Sequence, residues 1–182
     1  MSSPFPPRKL FARPVTHASA EYRELLTWEF DSTPFFIAQV ARAIRVEIPQ
    51  LILFQNATLW VFAEPGSPEL VGFGTFVISD LYANLTGGLP HCYIPLLSAK
   101  PGQKGCGKPI VKYLMDEAAV WVKQTESQIS TRVLLDVYAE NADAINSYTK
   151  SGFEILNPDQ PLLDAAENNA PYFVMARNVE VV

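Results

Sequence analysis

The stretch Leu96–Met115 reads Leu-Leu-Ser-Ala-Lys-Pro-Gly-Gln-Lys-Gly-Cys-Gly-Lys-Pro-Ile-Val-Lys-Tyr-Leu-Met. An apolar, strand-like run leads into a glycine-rich turn, and apolar residues at helical spacing follow. Such a turn exposes backbone N–H groups at the positive end of a helix dipole, where an anion is stabilised. Four of the chain's lysines surround it: Lys100, Lys104, Lys108 and Lys112. The stretch predicts a phosphate-binding turn; the alternative is a solvated turn whose lysines serve solubility.

The same turn satisfies most of the nucleoside triphosphate loop, G-x-x-x-x-G-K-[ST], from Gly102 to Lys108. That motif needs Ser or Thr next, because the hydroxyl binds Mg²⁺. Pro109 stands there and has no hydroxyl, and a second metal contact would have to come from Asp136, in the middle of a predicted strand. The sequence therefore favours a different phosphate ligand.

Turn residues and apolar periodicity predict the elements before this stretch. The first three are a strand over Phe11–Thr16, a helix over Ala18–Phe30 with Ser19 as N-cap, and a second helix that starts at Asp31–Pro34 and is stopped by Pro49. A hairpin of Thr58–Ala63 with Leu70–Ile78, a polar loop over Asp80–Pro90 and a strand over His91–Ala99 follow. Leu51–Gln55 is ambiguous. Pro95 inside the last strand indicates an edge, a bulge or the end of pairing.

After the turn, a long helix is predicted to about Thr125. It is followed by a buried strand over Arg132–Tyr138, a helix over Asn141–Ser151 with Gly152 as its C′ residue, a short strand over Phe153–Leu156, a polar loop over Pro158–Asn169 and a last strand over Tyr172–Met175. This order predicts an α/β fold with a mixed sheet flanked by helices. Neither a repeat nor a linker is evident, so residues 1–182 are predicted to form a single domain.

Composition limits the classes of function. The chain has 182 residues, of which 48% are apolar and 18% charged, as in globular proteins. No apolar run is long enough for a membrane helix, and Met1–Pro7 lacks signal-peptide architecture, so we expect a cytoplasmic protein without a membrane partner. Cys92, Cys106, His17 and His91 have no ligand spacing, so we expect no metal. The net charge of −5 argues against nucleic acid as partner.

A second motif lies downstream. Leu134–Phe153 reads Leu-Leu-Asp-Val-Tyr-Ala-Glu-Asn-Ala-Asp-Ala-Ile-Asn-Ser-Tyr-Thr-Lys-Ser-Gly-Phe. Asn141 can cap a helix, and Ala144 and Tyr148 share one helix face, where the small residue leaves room for a ligand. Gly152 permits a left-handed helix end. An amphipathic helix with Tyr148 in the core is the alternative interpretation.

Together, the two motifs resemble the Gcn5-related N-acetyltransferase (GNAT) superfamily, well over Leu59–Phe153 and loosely in the flanks. In that family a bulged strand precedes a Gln/Arg-x-x-Gly-x-Gly/Ala turn that binds the pyrophosphate of acetyl-coenzyme A. Here the turn ends in Gly105-Cys-Gly107, with Gln103 displaced by one position. Counting from Pro101 instead puts Lys104 in the arginine place but Pro109 in the last glycine place. The strand, the Asn-x-x-Ala helix with its tyrosine and the Gly-Phe ending follow in family order.

The resemblance implies a GNAT-like acyl-CoA N-acyltransferase fold and acetyl transfer from acetyl-CoA to a primary amine of a small molecule or protein. Tyr148 would be the general acid that protonates the thiolate. The pantetheine arm would lie between Tyr93–Ala99 and Val133–Tyr138, where a backbone N–H polarises the thioester. The implied cofactor-binding residues are Leu97, Ser98, Ala99, Gln103, Lys104, Gly105, Cys106, Gly107, Lys108, Asn141 and Tyr148.

On the acceptor side, the resemblance points to carboxylates that could bind a cationic amine, namely Glu29, Asp31 and Asp80; a solvated surface position is the favoured alternative for each one. His91 is a candidate base, with an exposed loop histidine as the alternative. Cys106 is not interpreted as a nucleophile, because no histidine is near it in sequence. The partner would be a small-molecule or peptide amine, the acidic balance argues against tRNA, and a homodimer is compatible with the family. A non-catalytic acyl-CoA-binding module of the same fold is the alternative function.

Overall fold

A computed structural model describes residues 8–16, 18–30, 35–55, 57–125, 128–167 and 169–180. The fold is mixed α/β, as predicted. Its elements are β1 (Phe11–Val15), α1 (Ala20–Leu25), α2 (Phe35–Gln55), β2 (Thr58–Ala63), β3 (Leu70–Ser79), β4 (His91–Ile94), β5 (Leu97–Ala99), α3 (Gly107–Gln124), β6 (Arg132–Tyr138), α4 (Ala142–Lys150), β7 (Glu154–Ile155), β8 (Leu162–Asp164) and β9 (Ala170–Asn178), with short 3₁₀ helices at Ala83–Leu85 and Ala165–Glu167.

Internal contacts divide the chain into two compact units. The first comprises Met1–Val77 and Leu96–Tyr113, and the second Ile78–Pro95 and Leu114–Val182. Each unit is described by itself below. The single domain over residues 1–182 stays a prediction.

The first unit contains antiparallel strands in the order β1-β2-β3-β5. β2 and β3 form the predicted hairpin. In its turn the Ser67 N–H donates to the Glu64 carbonyl at 3.0 Å, and Gly66 has a φ of +77°. Apolar side chains from α1, α2 and the two hairpin strands form the core of this unit, among them Leu25, Ile48 and Phe73.

Helix α2 continues through Pro49, so the prediction that Pro49 ends it is wrong. A proline inside a helix removes one hydrogen bond and crowds the preceding turn. Here packing outweighs that cost, because Ile44 and Ile48 on either side are buried in the core and Ile52 packs against it. The ambiguous segment Leu51–Gln55 is therefore helical.

Gly72 on β3 allows α3 and β5 to approach this strand closely. A Cβ atom at Gly72 would lie 2.4 Å from the Ile110 Cδ1 and 3.0 Å from the Ser98 carbonyl oxygen. Because both distances are shorter than ordinary van der Waals contact, a side chain at this position would force the Ile110 side chain and the β5 backbone to shift.

The second unit is built on a mixed sheet. β4 pairs with β6 in parallel, with Cys92 opposite Val133 and Ile94 opposite Leu135. β6 pairs with β9 antiparallel, and β7 and β8 also pair with β9. The predicted polar loop Pro158–Asn169 is wrong in part, because it contains β8. Leu162 and Leu163 are exposed and lack an alternating pattern, so only pairing with β9 makes this segment a strand.

Candidate functional site

The apolar strand before the glycine-rich turn changes partner at Pro95. β4 pairs with β6 as far as Ile94, and β5 pairs with β3 from Leu97 onward. Proline cannot donate to a sheet ladder, so pairing stops there. Of the predicted alternatives for Pro95, the end of pairing is the one observed, and up to that point the strand runs parallel to β6. The pantetheine slot involves residues of both units and stays a prediction.

β5 presents a free backbone edge. Thr75 N–H donates to the Leu96 carbonyl at 2.8 Å, which fixes the register of β5 on β3. In an antiparallel pair the backbone groups of alternate residues face the partner strand. The N–H and C=O groups of Leu97 and Ala99 therefore point away from β3, and no other described strand pairs with β5. The Ala99 carbonyl accepts from the Ser98 hydroxyl at 2.9 Å, and the other groups are available to an extended ligand.

The turn between β5 and α3 exposes unpaired N–H groups. Gly102 and Gly105 have φ angles of +80° and +78°, which glycine adopts without strain. α3 starts at Gly107 and has no acidic residue in its first turn. Among the described residues, no acceptor bonds the N–H groups of Gly105, Gly107 or Lys108. The first N–H groups of a helix lack intrahelical partners, so this end suits an anion.

The lysines around the turn differ in their contacts. The Lys100 ammonium lies 3.0 Å from a Glu69 carboxylate oxygen and 5.8 Å from the centre of the Trp28 ring. Lys100 therefore belongs to an ion pair rather than to the turn. Lys104 and Lys108 are exposed and remain the basic side chains of the turn itself.

Arg8, which the sequence analysis did not assign to the site, contacts three groups of this turn. The Arg8 Nη1 lies 2.9 Å from the Gln103 Oε1, 3.0 Å from the Lys104 carbonyl oxygen and 3.0 Å from the Cys106 Sγ. Its Nη2 forms an ion pair of 2.6 Å with Glu64. The only sequence signal is an arginine in a proline-rich segment, which does not reveal a contact across 95 residues.

Two other predicted residues of the turn, Cys106 and Gln103, have distinct surroundings. The Cys106 side chain is fully buried, and burial raises its thiol pKa although the Arg8 charge opposes this effect. A neutral buried thiol is a poor nucleophile, in keeping with the prediction. Gln103 presents its side-chain oxygen to Arg8, so only its amide nitrogen stays available. The prediction that these residues bind a cofactor is not tested by these contacts.

Helix α4 fixes Tyr148 through its two caps. Asn141 is the N-cap, and its side-chain oxygen accepts from the Ala144 N–H at 3.1 Å. At the other end, Phe153 N–H donates to the Tyr148 carbonyl at 3.0 Å and Gly152, with φ +86°, donates to the Thr149 carbonyl. This is a Schellman motif.

The Schellman motif is accompanied by its usual apolar contact. The rings of Tyr148 and Phe153 lie 6.1 Å apart, and Phe153 is buried. Burial raises the pKa of Tyr148, and the Asp136 charge raises it further. The Tyr148 hydroxyl therefore keeps its proton well above neutral pH.

The second unit also contains a half-buried carboxylate that the sequence analysis did not assign to the site. The Asp136 Oδ2 accepts from the Tyr93 hydroxyl at 2.5 Å and from the Tyr82 hydroxyl at 3.0 Å. The Tyr172 hydroxyl lies 3.4 Å from that of Tyr82. We call these four residues the Asp136 cluster. They come from four different segments of the chain, so no local motif marks them.

The predicted acceptor residues are not brought together by any described contact. Glu29 is exposed in the first unit and Asp80 is exposed in the second, while Asp31 lies outside the described residues. His91 is fully buried on β4, so the exposed-loop alternative is wrong. Burial lowers its pKa, which keeps the ring neutral near pH 7.

Two kinds of feature are absent from the described residues. No helix there is both long and apolar enough to cross a membrane. No group of three or more His, Cys, Asp or Glu residues in that part of the chain is arranged to hold a metal ion.

Comparison with known proteins agrees with this fold. Solved structures with a similar fold include a Bacillus subtilis acetyltransferase in complex with CoA (TM-score 0.59, 15% identity, 94% of this chain and 100% of that one). Another is a Vibrio cholerae spermidine N-acetyltransferase in complex with CoA and spermine (TM-score 0.58, 13% identity, 93% of this chain and 95% of that one). A third is the Escherichia coli ribosomal-protein-S18-alanine N-acetyltransferase (TM-score 0.57, 14% identity, 96% of this chain and 96% of that one). No curated protein sequence matches the chain. The sequence profile of the acetyltransferase (GNAT) family matches residues 16–153, and the chain belongs to that family.

Proposed function

We propose that the protein is an N-acetyltransferase that transfers the acetyl group of acetyl-CoA to a primary amine. The observation that carries the proposal is the order of two features in the first unit. β5 has an edge that no described strand pairs with, and the turn after it presents unpaired N–H groups at the start of α3. Coenzyme A has a matching order of groups, because an extended, amide-containing arm precedes a pyrophosphate.

The residues present fit this co-substrate. The N–H groups of Gly105, Gly107 and Lys108 would hold the pyrophosphate, assisted by the dipole of α3 and the exposed ammonium of Lys104. The outward N–H and C=O groups of Leu97 and Ala99 would bond the amides of the pantetheine arm. One of these N–H groups would stabilise the charge that develops on the thioester oxygen.

Tyr148 is the proposed general acid. When the amine attacks the thioester carbon, the C–S bond breaks and the leaving thiolate needs a proton. A tyrosine hydroxyl that keeps its proton at neutral pH can supply it. Burial and the Asp136 charge raise the pKa of Tyr148, so the hydroxyl carries its proton at neutral pH.

The acceptor is proposed only by class. The similar structures include a spermidine N-acetyltransferase and a ribosomal-protein-S18-alanine N-acetyltransferase, and both act on amines. At 13% and 14% sequence identity, these similarities concern the fold only, and the proposal names no specific amine.

A screen of primary amines tests the proposal directly. The protein is incubated with acetyl-CoA and each amine, the released thiol is measured, and the N-acetyl product is identified by mass. We expect at least one amine to give both signals. Thiol release without N-acetyl product would indicate hydrolysis. Binding of acetyl-CoA without product from polyamines, amino acids or peptide N-termini would favour the acyl-CoA-binding module.

A further inference from the structure

His91 is a buried titratable residue that the proposed reaction does not use. Its side chain is fully buried on β4, and neither ring nitrogen has a hydrogen-bond partner in the described part of the chain. Burying a polar group without a partner costs free energy, and burying the charged imidazolium without one costs more. The structure therefore accommodates the neutral ring far better than the protonated ring.

The groups around His91 come from β4, from β6 and from the loop of residues 80–90. Tyr93 lies on the same face of β4, with its ring edge-on to that of His91 and 6.3 Å between centres. Arg132 is the neighbouring residue on β6, and its charge does not favour an imidazolium. From the loop, the Asp80 carboxylate is the charge that favours a protonated ring. Asp80 is exposed, so solvent weakens this attraction.

The loop of residues 80–90 is a compact segment with hydrogen bonds of its own. Inside it, the Ala83 carbonyl accepts from the Gly88 N–H at 2.8 Å. Leu81 and Leu89 are exposed, so these apolar side chains do not anchor the loop in a core. The loop can therefore move as one piece while it keeps its internal bonds.

Hydrogen bonds to β6 and to the segment before it attach this loop to the second unit. They join the Tyr82 hydroxyl to Asp136 at 3.0 Å, the Arg132 Nη1 to the Leu85 carbonyl at 3.1 Å, and the Ser130 N–H to the Pro90 carbonyl at 2.7 Å. Tyr82 also has a φ of +71°, a left-handed conformation that bulky residues rarely adopt. Polar contacts thus hold the closed loop, and opening would relieve local strain.

We propose that the loop of residues 80–90 is a pH-sensitive cover, which is closed while His91 is neutral and opens when the ring takes up a proton. Opening gives water access to the imidazolium and withdraws the Tyr82 hydroxyl from Asp136. Asp136 acts by its charge on Tyr148, so the position of the cover affects the proposed general acid. The cover itself does not depend on acetyl transfer, because all of its contacts lie within the free chain.

The direction of the pH dependence follows from the state in which His91 binds a proton more readily. Burial lowers the pKa of His91 in the closed structure, and the Leu89 carbonyl and the Asp80 charge offset part of this effect. With the loop open, the ring is hydrated and its pKa returns to the usual value of about 6.5. The closed loop therefore keeps its full stability above about pH 6.5 and loses it as pH falls toward the lowered pKa.

The test measures amide hydrogen exchange of the full chain by NMR between about pH 8 and about pH 5. The reporter is the Ser130 N–H, which bonds the Pro90 carbonyl at the end of the loop. Its protection factor in the wild type should fall about tenfold per pH unit below about pH 6.5. The Leu156 N–H, which donates to the Val174 carbonyl at 2.9 Å, is the internal control and should keep its protection. A constant protection of Ser130, or an equal fall at Leu156, overturns the proposal.

The substitution His91→Phe tests whether His91 is the group that senses the pH. Phenylalanine is similar in size to histidine but has no nitrogen that can be protonated. The protection of the Ser130 N–H in this variant should therefore stay constant over the same pH range. An equal fall in His91→Phe and the wild type would mean that another group takes up the proton, and it overturns the assignment to His91.

A second variant tests the movement of the loop and decides the matter if His91→Phe does not fold. Tyr82→Phe removes the hydroxyl that attaches the loop to β6, so the protection of Ser130 should be about 3- to 30-fold lower throughout the pH range. Tyr138→Phe is the matched control, because its hydroxyl donates to Asp164 on β8 at 2.9 Å. Wild-type protection of Ser130 in Tyr82→Phe contradicts the proposal. None of these readouts requires turnover, so the cover and the proposed function are tested separately.

Discussion

Tyr148 shows how local chain chemistry prepares one side chain for a proton transfer. Gly152 ends α4 in the left-handed conformation, the chain reverses, and Phe153 returns to pack against the Tyr148 ring. The ring is thus fixed by the helix end itself. Burial and a neighbouring carboxylate then keep the hydroxyl protonated. A general acid must hold its proton at the working pH and stand in a fixed position, and Tyr148 meets both conditions.

Tyr148→Phe should lower kcat by about 10²- to 10⁴-fold, the usual contribution of a general acid. Coenzyme A affinity should change little, since the ring remains and the proposed phosphate contacts belong to other residues. Because the Tyr148 pKa is raised, wild-type kcat should not decline on the alkaline side until above pH ~10.

Tyr113→Phe provides the control for this substitution. Its ring lies edge-on to Trp60 at 5.1 Å, and removal of its hydroxyl should leave turnover unchanged. The kcat of each variant is measured by steady-state kinetics with a good acceptor. A wild-type kcat in Tyr148→Phe would mean that water, and not Tyr148, protonates the thiolate.

At the scale of elements, the turn before α3 depends on a residue far away in sequence. Arg8 connects three groups of this turn with Glu64 in the β2–β3 turn. The N–H groups that point outward can bind an anion only if the turn keeps its shape, and the guanidinium supplies donors in a rigid fork that fits several acceptors. Arg8 is therefore a positioning residue.

Arg8→Ala should weaken coenzyme A binding by about 5- to 30-fold, which corresponds to about 1–2 kcal/mol. Arg13→Ala is the matched control, because it removes the same charge from the same segment, where Arg13 pairs with Glu21. Calorimetric titration should show near wild-type affinity for Arg13→Ala. An equal loss in both variants would mean that net charge alone matters.

The elements also show what the sequence could predict. The bounds of β2 and β6 match the prediction, because alternation and flanking turn residues are local signals. The prediction that α2 ends at Pro49 was wrong, because the stabilisation from burying Ile44 and Ile48 outweighs the loss of one helical hydrogen bond. β8 was missed because it is a strand only through its pairing with β9.

The candidate site was predictable to a similar degree. The turn, Asn141 as a cap and Gly152 as a helix end follow from short motifs, and the structure has each of them. Arg8 and the Asp136 cluster could not be predicted, since their contacts join residues between 43 and 98 positions apart. A pattern within one segment carries no information on such contacts.

At the scale of the whole molecule, an acidic chain is proposed to bind an anionic co-substrate. The net charge of −5 opposes such a ligand at long range, so attraction must come from the local field of the turn and α3. Salt should therefore affect the affinity less than it does for a protein with a broad basic surface, since screening acts mainly on distant charges.

The most direct test is the melting temperature of wild type, Gly107→Asp and Gly107→Asn with acetyl-CoA. A ligand that binds only the native state stabilises it, by about 2.7 kcal/mol at 100-fold excess over Kd. Aspartate in the first turn of α3 favours the helix but repels a phosphate, whereas asparagine has the same size without the charge. The account predicts a raised melting temperature in wild type, a smaller rise in Gly107→Asn and none in Gly107→Asp. An equal rise in wild type and Gly107→Asp, or a rise with ATP and Mg²⁺ but not with acetyl-CoA, would contradict it.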